Sequence, residues 1–349
     1  MDLINTFPKK NIRVLITGGA GFIGSAVVRK LLQDLDCIIF NLDKISYASD
    51  LSSIDYLFNN NDLLHSKYNL LKVDLSNFSK VDEAVKYADP DFVLHLAAES
   101  HVDRSITGPK AFIDSNIVGT FNLLESVRIH YENLNSGRKE LFRFLHVSTD
   151  EVFGSLDDFG SFDESTKYDP RSPYSASKAA SDHLVNAWHH TYDLPILITN
   201  CSNNYGPWQY PEKLIPKVIS NAVNNFEIPI YGNGKNVRDW LYVEDHVSGI
   251  LKVLCNGKIG EKYCIGGNQE KTNNEIVNSI CEILDKVIPK DFSYKNLIVY
   301  VKDRLGHDQR YAINSSKIRS ELAWEPKYSF KEGLFITVSW YVEKFTTKK

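Results

Sequence analysis

Cysteine is scarce in this chain and poorly placed for cross-linking. The 349 residues hold five (Cys37, Cys201, Cys255, Cys264 and Cys281), an odd number with no C-x-x-C spacing. A disulfide framework and a zinc site are therefore not expected, and a reducing cytoplasm is the compartment that fits. Excess positive charge is missing too. A net charge of -4 lacks the basic face that a nucleic-acid binder carries. No run approaches the roughly 18 apolar residues of a membrane span, so no membrane partner is expected. The opening MDLINTFPKK, with acidic Asp2 and a short apolar patch, does not read as a signal peptide. The histidines follow no ligand pattern: His189 and His190 are adjacent, and His95, His101, His146 and His183 are scattered. No metal is expected. Internal repeats and low-complexity tracts are also lacking.

What remains is an ordinary globular composition, 43% hydrophobic and 24% charged, long enough for about two domains. Its first half alternates short apolar runs with helical patterns. Strands are expected at Ile12–Thr17, Cys37–Leu42, Leu70–Val73, Asp91–Ala97 and Phe142–Ser148. Helices fit Gly21–Leu32, Asn77–Tyr87, Lys110–His130 and Pro173–Tyr192. Apolar strands separated by helices are what a parallel sheet covered on both faces requires. The fold class is therefore α/β, a doubly wound Rossmann-like sheet with a second, smaller mixed α/β substrate domain. Past about Tyr205, Pro207, Pro211, Pro216, Pro229, Gly232 and Gly234 break up the alternation. The expected division is 1–205 for the cofactor, with a return around 235–255, and 206–349 mainly for substrate.

Between the first strand and helix, Gly18, Gly21 and Gly24 form a G-x-x-G-x-x-G pattern. Such a turn lets the backbone approach a pyrophosphate and aims N–H groups from a helix N-terminus. Asp43 ends the second strand, nineteen residues past Gly24. A carboxylate there can accept both ribose hydroxyls of NAD and would repel the 2′-phosphate of NADP, although Lys44 follows it. Asp74 could meet the adenine amine or cap a helix from Ser76 onward.

Tyr174 and Lys178 form a Y-x-x-x-K pair after Pro173, which suits a helix start. The spacing places both side chains on one face. An ammonium near the phenol, together with a positively charged nicotinamide, would favour phenolate and make Tyr174 a usable base near neutral pH. The strand ending at Ser148 runs into Thr149, Asp150 and Glu151, where doubly wound sheets carry their chemistry. Two adjacent carboxylates offer one acid and one base if their surroundings split their pKa values. Read without that context, each motif is also compatible with a surface pair or a capped turn.

As a set, the motifs resemble the dTDP-glucose 4,6-dehydratases, a family of extended short-chain dehydrogenases. They are TGGAGFIG, LAAESHVDRS, HVSTDEVFG, Tyr174/Lys178, NNYGP, YPEKLIP, RDWLYVEDH and DRLGHDQRY, in order over roughly residues 11–345. The resemblance implies bound NAD, a sugar-nucleotide substrate and a homodimer built on Lys110–His130 and Pro173–Tyr192. It implies that Thr149, Asp150, Glu151, Tyr174 and Lys178 are catalytic. It places Gly18, Gly21, Phe22, Ile23, Gly24, Asp43, Lys44, Ile45, Ser46, Asp74, Leu75, Leu96, Ala97, Ala98, Ser100, Ser115 and Asn204, with Tyr174 and Lys178, on the cofactor. It places Ser100, Thr149, Asn203, Lys213, Leu214, Pro229, Ile230, Tyr231, Arg238, Asn273, Asp303, Arg304, His307 and Asp308 on the sugar nucleotide. Arg238 and Arg304 suit a diphosphate clamp. Leu305, Phe153 and Ser115 depart from the family's usual proline, tyrosine and threonine. A UDP-glucose 4,6-dehydratase would keep the same catalytic groups. A UDP-sugar 4-epimerase would lack the Asp-Glu pair, and a cofactor-sensing binding protein would commonly lose Tyr174 or Lys178.

Overall fold

The computed structural model describes residues 12–59, 61–303 and 306–346. Six strands alternate with helices through the first part of the chain: β1 (Ile12–Thr17), β2 (Cys37–Asp43), β3 (Tyr68–Lys72), β4 (Phe92–His95), β5 (Arg143–Thr149) and β6 (Ile196–Cys201). The later strands are β7 (Asn203–Tyr205), β8 (Ile228–Tyr231), β9 (Val237–Tyr242), β10 (Lys262–Ile265), β11 (Glu270–Thr272) and β12 (Ile298–Val301).

β10, β6, β5, β4, β1, β2 and β3 form one parallel seven-stranded sheet in that order. The chain winds outward from β1 to β3 and then restarts at β4 on the other side of β1. That reversal opens a crevice at the carboxyl ends of β1 and β4. Both faces are apolar because both are covered. Val14, Ile16, Ile39 and Leu145 pack under the helices Phe22–Asp34 and Val243–Asn256. Leu15, Phe40, Val93 and Phe144 point the opposite way, toward the helices Phe78–Ala88 and Gly119–Asn133.

The second lobe has its own core. The helices Leu214–Val223, Asn273–Val287 and Phe330–Thr346 enclose Ile219, Ile280 and Val338 against Ile228, Ile230 and Trp240. A three-stranded sheet, β11-β9-β7, and the parallel pair β12-β8 lie in this region. The chain then crosses back, since β10 completes the edge of the main sheet beside β6. Among the described residues, no helix is long and apolar enough to cross a membrane.

The expected long helix over Lys110–His130 is interrupted. Its Ile113–Val118 stretch adopts wider π-helical turns before α-helix resumes at Gly119. Those turns hold Ser115 against the crevice and bury Asn116. π-Turns inside helices often mark such functional positions.

Candidate active site

One cleft of about 300 Å³ runs across the carboxyl ends of β1, β2, β4, β5 and β6. The glycine turn forms one end of it. Gly18 has a φ of 73°, and a Cβ there would stand 2.7 Å from the Ala97 Cα. A Cβ on Gly24 would stand 2.1 Å from the Gly18 carbonyl oxygen. Phe22 therefore begins its helix hard against the turn, with no side chain capping its first N–H groups. Those groups line the cleft with Ile23, an arrangement suited to a diphosphate. Gly24→Ala should cost both stability and cofactor retention, read as a lower melting temperature and less nucleotide bound per purified protein.

Asp43 lines the next stretch, buried at the end of β2. Its Oδ2 accepts from the Ala20 N–H at 3.0 Å, and its Oδ1 accepts from the Ile45 N–H at 2.8 Å and the Ser49 hydroxyl at 3.1 Å. A carboxylate has about four acceptor positions, so gripping both ribose hydroxyls requires the Ser49 hydroxyl to turn away. Lys44 does not oppose Asp43, because its ammonium pairs with Glu99 at 2.8 Å. Ile45 holds a positive φ of 55° to reach Asp43 and does not itself line the cleft. Asp74 does line it and accepts from the Ser76 N–H at 2.9 Å; the following helix is capped by Asn77 instead. The uncapped helix, the glycine cradle and the carboxylate at β2 together fit a dinucleotide.

The reacting end lies at β5 and β6. Thr149 ends β5, and Asp150–Phe153 form a short 3₁₀ turn capped by the Thr149 hydroxyl, which accepts from the Glu151 N–H at 3.3 Å. This turn leaves Asp150 2% exposed, with Thr149 donating to its Oδ1 at 3.2 Å and, among the described residues, no hydrogen bond to its Oδ2. Burial, then the neighbouring Glu151 and Asp239 carboxylates, push the Asp150 pKa well above its ordinary value. Burial thereby favours the protonated form of Asp150 beside Glu151, which also lines the cleft.

Tyr174 and Lys178 enter from the helix Pro173–Tyr192, which starts with a capping box between Ser172 and Ser175 and proline in its first turn. Both line the cleft. The expected lowering of the phenol by Lys178 is not what the structure shows. The Lys178 ammonium donates to the Val147 carbonyl at 2.9 Å and lies 3.4 Å from His146 Nε2. Burial, then Glu151 and Cys201, hold Tyr174 well above the usual phenol range, opposed by a hydrogen bond with Thr149. Without other positive charge in the cleft, Tyr174 is a phenol at neutral pH.

Ser46, Leu75, Leu96, Ala97, Ala98, Ser100, Ser115, Asn203, Asn204 and Lys213 also line this cleft. Other expected substrate residues do not. Pro229, Ile230 and Tyr231 lie on β8, which pairs with β12, and Asp303 follows β12 with its carboxylate 2.6 Å from His307 Nδ1. Leu214 opens the helix Leu214–Val223, and Asn273 opens the helix Asn273–Val287. The Arg238 guanidinium donates to the carbonyls of Val237 at 2.7 Å and Asp308 at 2.9 Å, and lies over the Tyr311 ring. Clamping a diphosphate would exchange those carbonyls for phosphate oxygens. Arg304 and Leu305 lie outside the described residues.

A family profile described as GDP-mannose 4,6 dehydratase matches residues 15–337. The dTDP-glucose 4,6-dehydratase of Salmonella typhimurium is 51% identical over 340 residues, covering 95% of this chain and 93% of that protein. The chain belongs to the dTDP-glucose 4,6-dehydratase family. Among solved family members, the Streptomyces venezuelae enzyme with NAD bound superposes with a TM-score of 0.85 at 40% identity, covering 96% of this chain and 98% of the other. The Bacillus anthracis enzyme in complex with NAD gives 0.82 at 43%, covering 95% and 97%.

Several residues on the cleft wall went unnoticed in the sequence. Gln209, Tyr210 and Glu212 line it from the loop before the helix Leu214–Val223. The signal for Tyr210 and Glu212 was the YPEKLIP motif itself, whose lysine and leucine alone carried an expectation; Gln209 precedes the motif and has none. Cys201 lines it at the end of β6, where a small side chain carries no visible signature.

Proposed function

We propose that this protein converts dTDP-glucose to dTDP-4-keto-6-deoxyglucose and water. The observation that carries this reading is a buried Asp150, its pKa pushed up by burial and by neighbouring carboxylates, beside Glu151 on the wall that also holds Tyr174. Bound NAD supplies a reversible hydride store, filled from sugar C4 and emptied to C6. Tyr174 accepts the proton of the 4-hydroxyl while Thr149 hydrogen-bonds the same oxygen. The positive charge of the oxidised nicotinamide offsets the surroundings that hold the phenol protonated. Once C4 is a ketone, the C5 hydrogen is acidic and Glu151 removes it. Asp150 gives its proton to the departing 6-hydroxyl, so water leaves as a neutral molecule. As the hydride is delivered to C6, protonated Glu151 returns a proton to C5, and the proton taken from the 4-hydroxyl restores Asp150 through solvent. An epimerase has no use for this acid and base, whereas elimination requires both.

The substrate test is a panel of dTDP-, UDP-, CDP- and GDP-glucose with detection of the 4-keto product. Fastest turnover with dTDP-glucose is expected, and a preference for UDP-glucose would overturn the nucleotide assignment. For the cofactor, denaturing the purified protein should release NAD. Recovery mainly of NADP would mean that the buried Asp43 does not exclude a 2′-phosphate.

The proposed roles divide along the chain, with 1–205 holding the cofactor and 206–349 mainly the sugar nucleotide. The Asp43, Asp74 and glycine-turn residues serve the cofactor. Arg238, Asn273, Tyr231, Asp303, His307 and Asp308 serve the substrate. The proposed assembly is a homodimer through the two long helices. Ile113, Val118 and Phe121 are exposed there, and Phe121 meets Trp188 edge-on at 5.9 Å, with Tyr192 beyond it. Such an apolar stripe is what a partner helix pair covers. The proposed compartment is the cytoplasm, in keeping with five unpaired cysteines.

A further inference from the structure

Behind Lys178 lies a buried polar network that the dehydration chemistry does not use. Its Nζ donates to the Val147 carbonyl at 2.9 Å and stands 3.4 Å from His146 Nε2, which lies 3.1 Å from Asp182 Oδ1. The side chains of His146 and Asp182 are wholly buried. The other carboxylate oxygen, Oδ2, accepts from the Tyr168 hydroxyl at 2.8 Å, the Ser148 hydroxyl at 2.9 Å and Asn200 Nδ2 at 3.4 Å. An ammonium and a carboxylate thus share one dry compartment, one helical turn apart, with an imidazole between them.

Burying a single charge is costly, and burying two of opposite sign is tolerated when each is paired and hydrogen-bonded. Three donors on one oxygen favour the ionised form of Asp182. Burial alone would raise its pKa, yet His146, Lys178 and Ser148 bring it below the ordinary carboxylate value. His146 is pulled down to about 4, by burial first and by the Lys178 ammonium second, so the ring is neutral. Lys178 itself is lowered by burial and supported by Asp182, then Cys201. Other groups near it give less help. His95 on β4 is neutral, Cys201 on β6 stays a thiol, and Tyr174 on the same helix is a phenol. Asp150 and Glu151 act on Tyr174 and Cys201 but are not among the groups acting on Lys178.

We propose that Asp182 is the buried counter-charge that keeps Lys178 an ammonium at the reacting end of the cleft, acting through space past the neutral His146 ring. It is a positioning residue: it touches neither substrate nor cofactor, and it acts through Lys178. Two carboxylates near the cleft therefore have opposite assignments, Asp150 kept protonated and Asp182 kept ionised. The inference rests on the dehydratase reading only in giving Lys178 a task. The pairing itself does not depend on it.

The test uses the NAD-bound protein. Lys178 works as an ammonium, so turnover is lost as pH rises through its pKa. Removing the facing negative charge lowers that pKa, and the loss should then set in at lower pH. Asp182→Asn should move the alkaline limb of the kcat profile down by about 1–3 pH units. KM for the sugar nucleotide should stay within about twofold, because no contact to it is removed. Tyr168→Phe deletes one hydrogen bond but keeps the charge, and should leave the limb near its wild-type position. A folded Asp182→Asn protein with an unmoved limb overturns the proposal.

If Asp182→Asn alone does not fold, thermal melting decides. Lys178→Met/Asp182→Asn should then fold and melt well above the single variant, since no ammonium remains to be balanced. A double variant as unstable as the two losses added together overturns the proposal. This melting comparison needs no substrate, so it separates failure of the pairing from failure of the dehydratase reading.

Discussion

Tyr174→Phe should lower turnover by about 10²–10⁴ while the protein keeps its fold and its bound nucleotide. The substitution removes one oxygen from a side chain that is 8% exposed, and the ring can keep its edge-on contact with Phe112. The helix start does not depend on that oxygen, because Ser172 and Ser175 cap it reciprocally. What is lost is the group to which we assign the proton of the 4-hydroxyl. Thr149 can hydrogen-bond the sugar oxygen, but its own hydroxyl is too weak an acid-base group to replace a phenol. Because burial and Glu151 raise the Tyr174 pKa, the base form gains ground as pH rises. The variant, with no hydroxyl to ionise, should stay slow at every pH at which the parent turns over. The measurements are kcat against pH and the nucleotide content of the purified variant. Near-normal turnover would mean that another base takes the proton.

The cofactor half of this site was legible in the sequence for a simple physical reason. Glycines at 18 and 24 are demanded by contacts a Cβ could not survive, and a Cβ at 21 would crowd the Gly18 carbonyl, so the chain displays the requirement openly. Strand β1 and the helix Pro173–Tyr192 have the residue limits expected from pattern, since proline, capping serine and apolar periodicity all agree there. Electrostatics were harder to see. Y-x-x-x-K fixes a shared helix face, but the direction in which Lys178 extends depends on Val147 and His146, which reach it from another strand. Burial also dominates the pKa of both Tyr174 and Asp150, and burial is a tertiary property. The substrate lobe was least legible. Its short strands β7, β8, β11 and β12 pair across long sequence gaps, so their register is set by packing rather than by local pattern. Motif resemblance located those residues, and local chemistry alone would not have selected Arg238 or Asn273.

Asp150→Asn and Glu151→Gln should separate oxidation from dehydration. Asparagine keeps the shape of Asp150 and can still meet the Thr149 hydroxyl, but it has no proton to give to the 6-hydroxyl. A hydroxide leaving unaided faces a barrier that general acid catalysis lowers by about 10²–10⁴ in rate. Glutamine at 151 likewise cannot take the C5 proton. Neither change removes an atom of Tyr174, Lys178 or the cofactor turn, and losing the Glu151 charge makes Tyr174 easier to ionise, so oxidation at C4 should continue in both. On mixing with dTDP-glucose, near-ultraviolet absorbance of reduced cofactor should rise and persist while deoxysugar forms slowly. Exchange of the C5 hydrogen with deuterated water should slow sharply in Glu151→Gln and persist in Asp150→Asn, where the base remains. Stability provides a control on the assignment of Asp150 as a buried neutral acid. A folded-state pKa raised above the unfolded value makes the aspartate cost stability as pH rises, because the chain must either keep a proton or bury a charge. Asp150→Asn removes that liability and should melt no lower than the parent at neutral pH, and higher at alkaline pH. A variant that melts normally, builds up reduced cofactor and stalls before water loss would assign the acid. Wild-type rates of dehydration in both variants would reduce Asp150 and Glu151 to a capped turn, and the elimination chemistry would then have to come from elsewhere in the cleft.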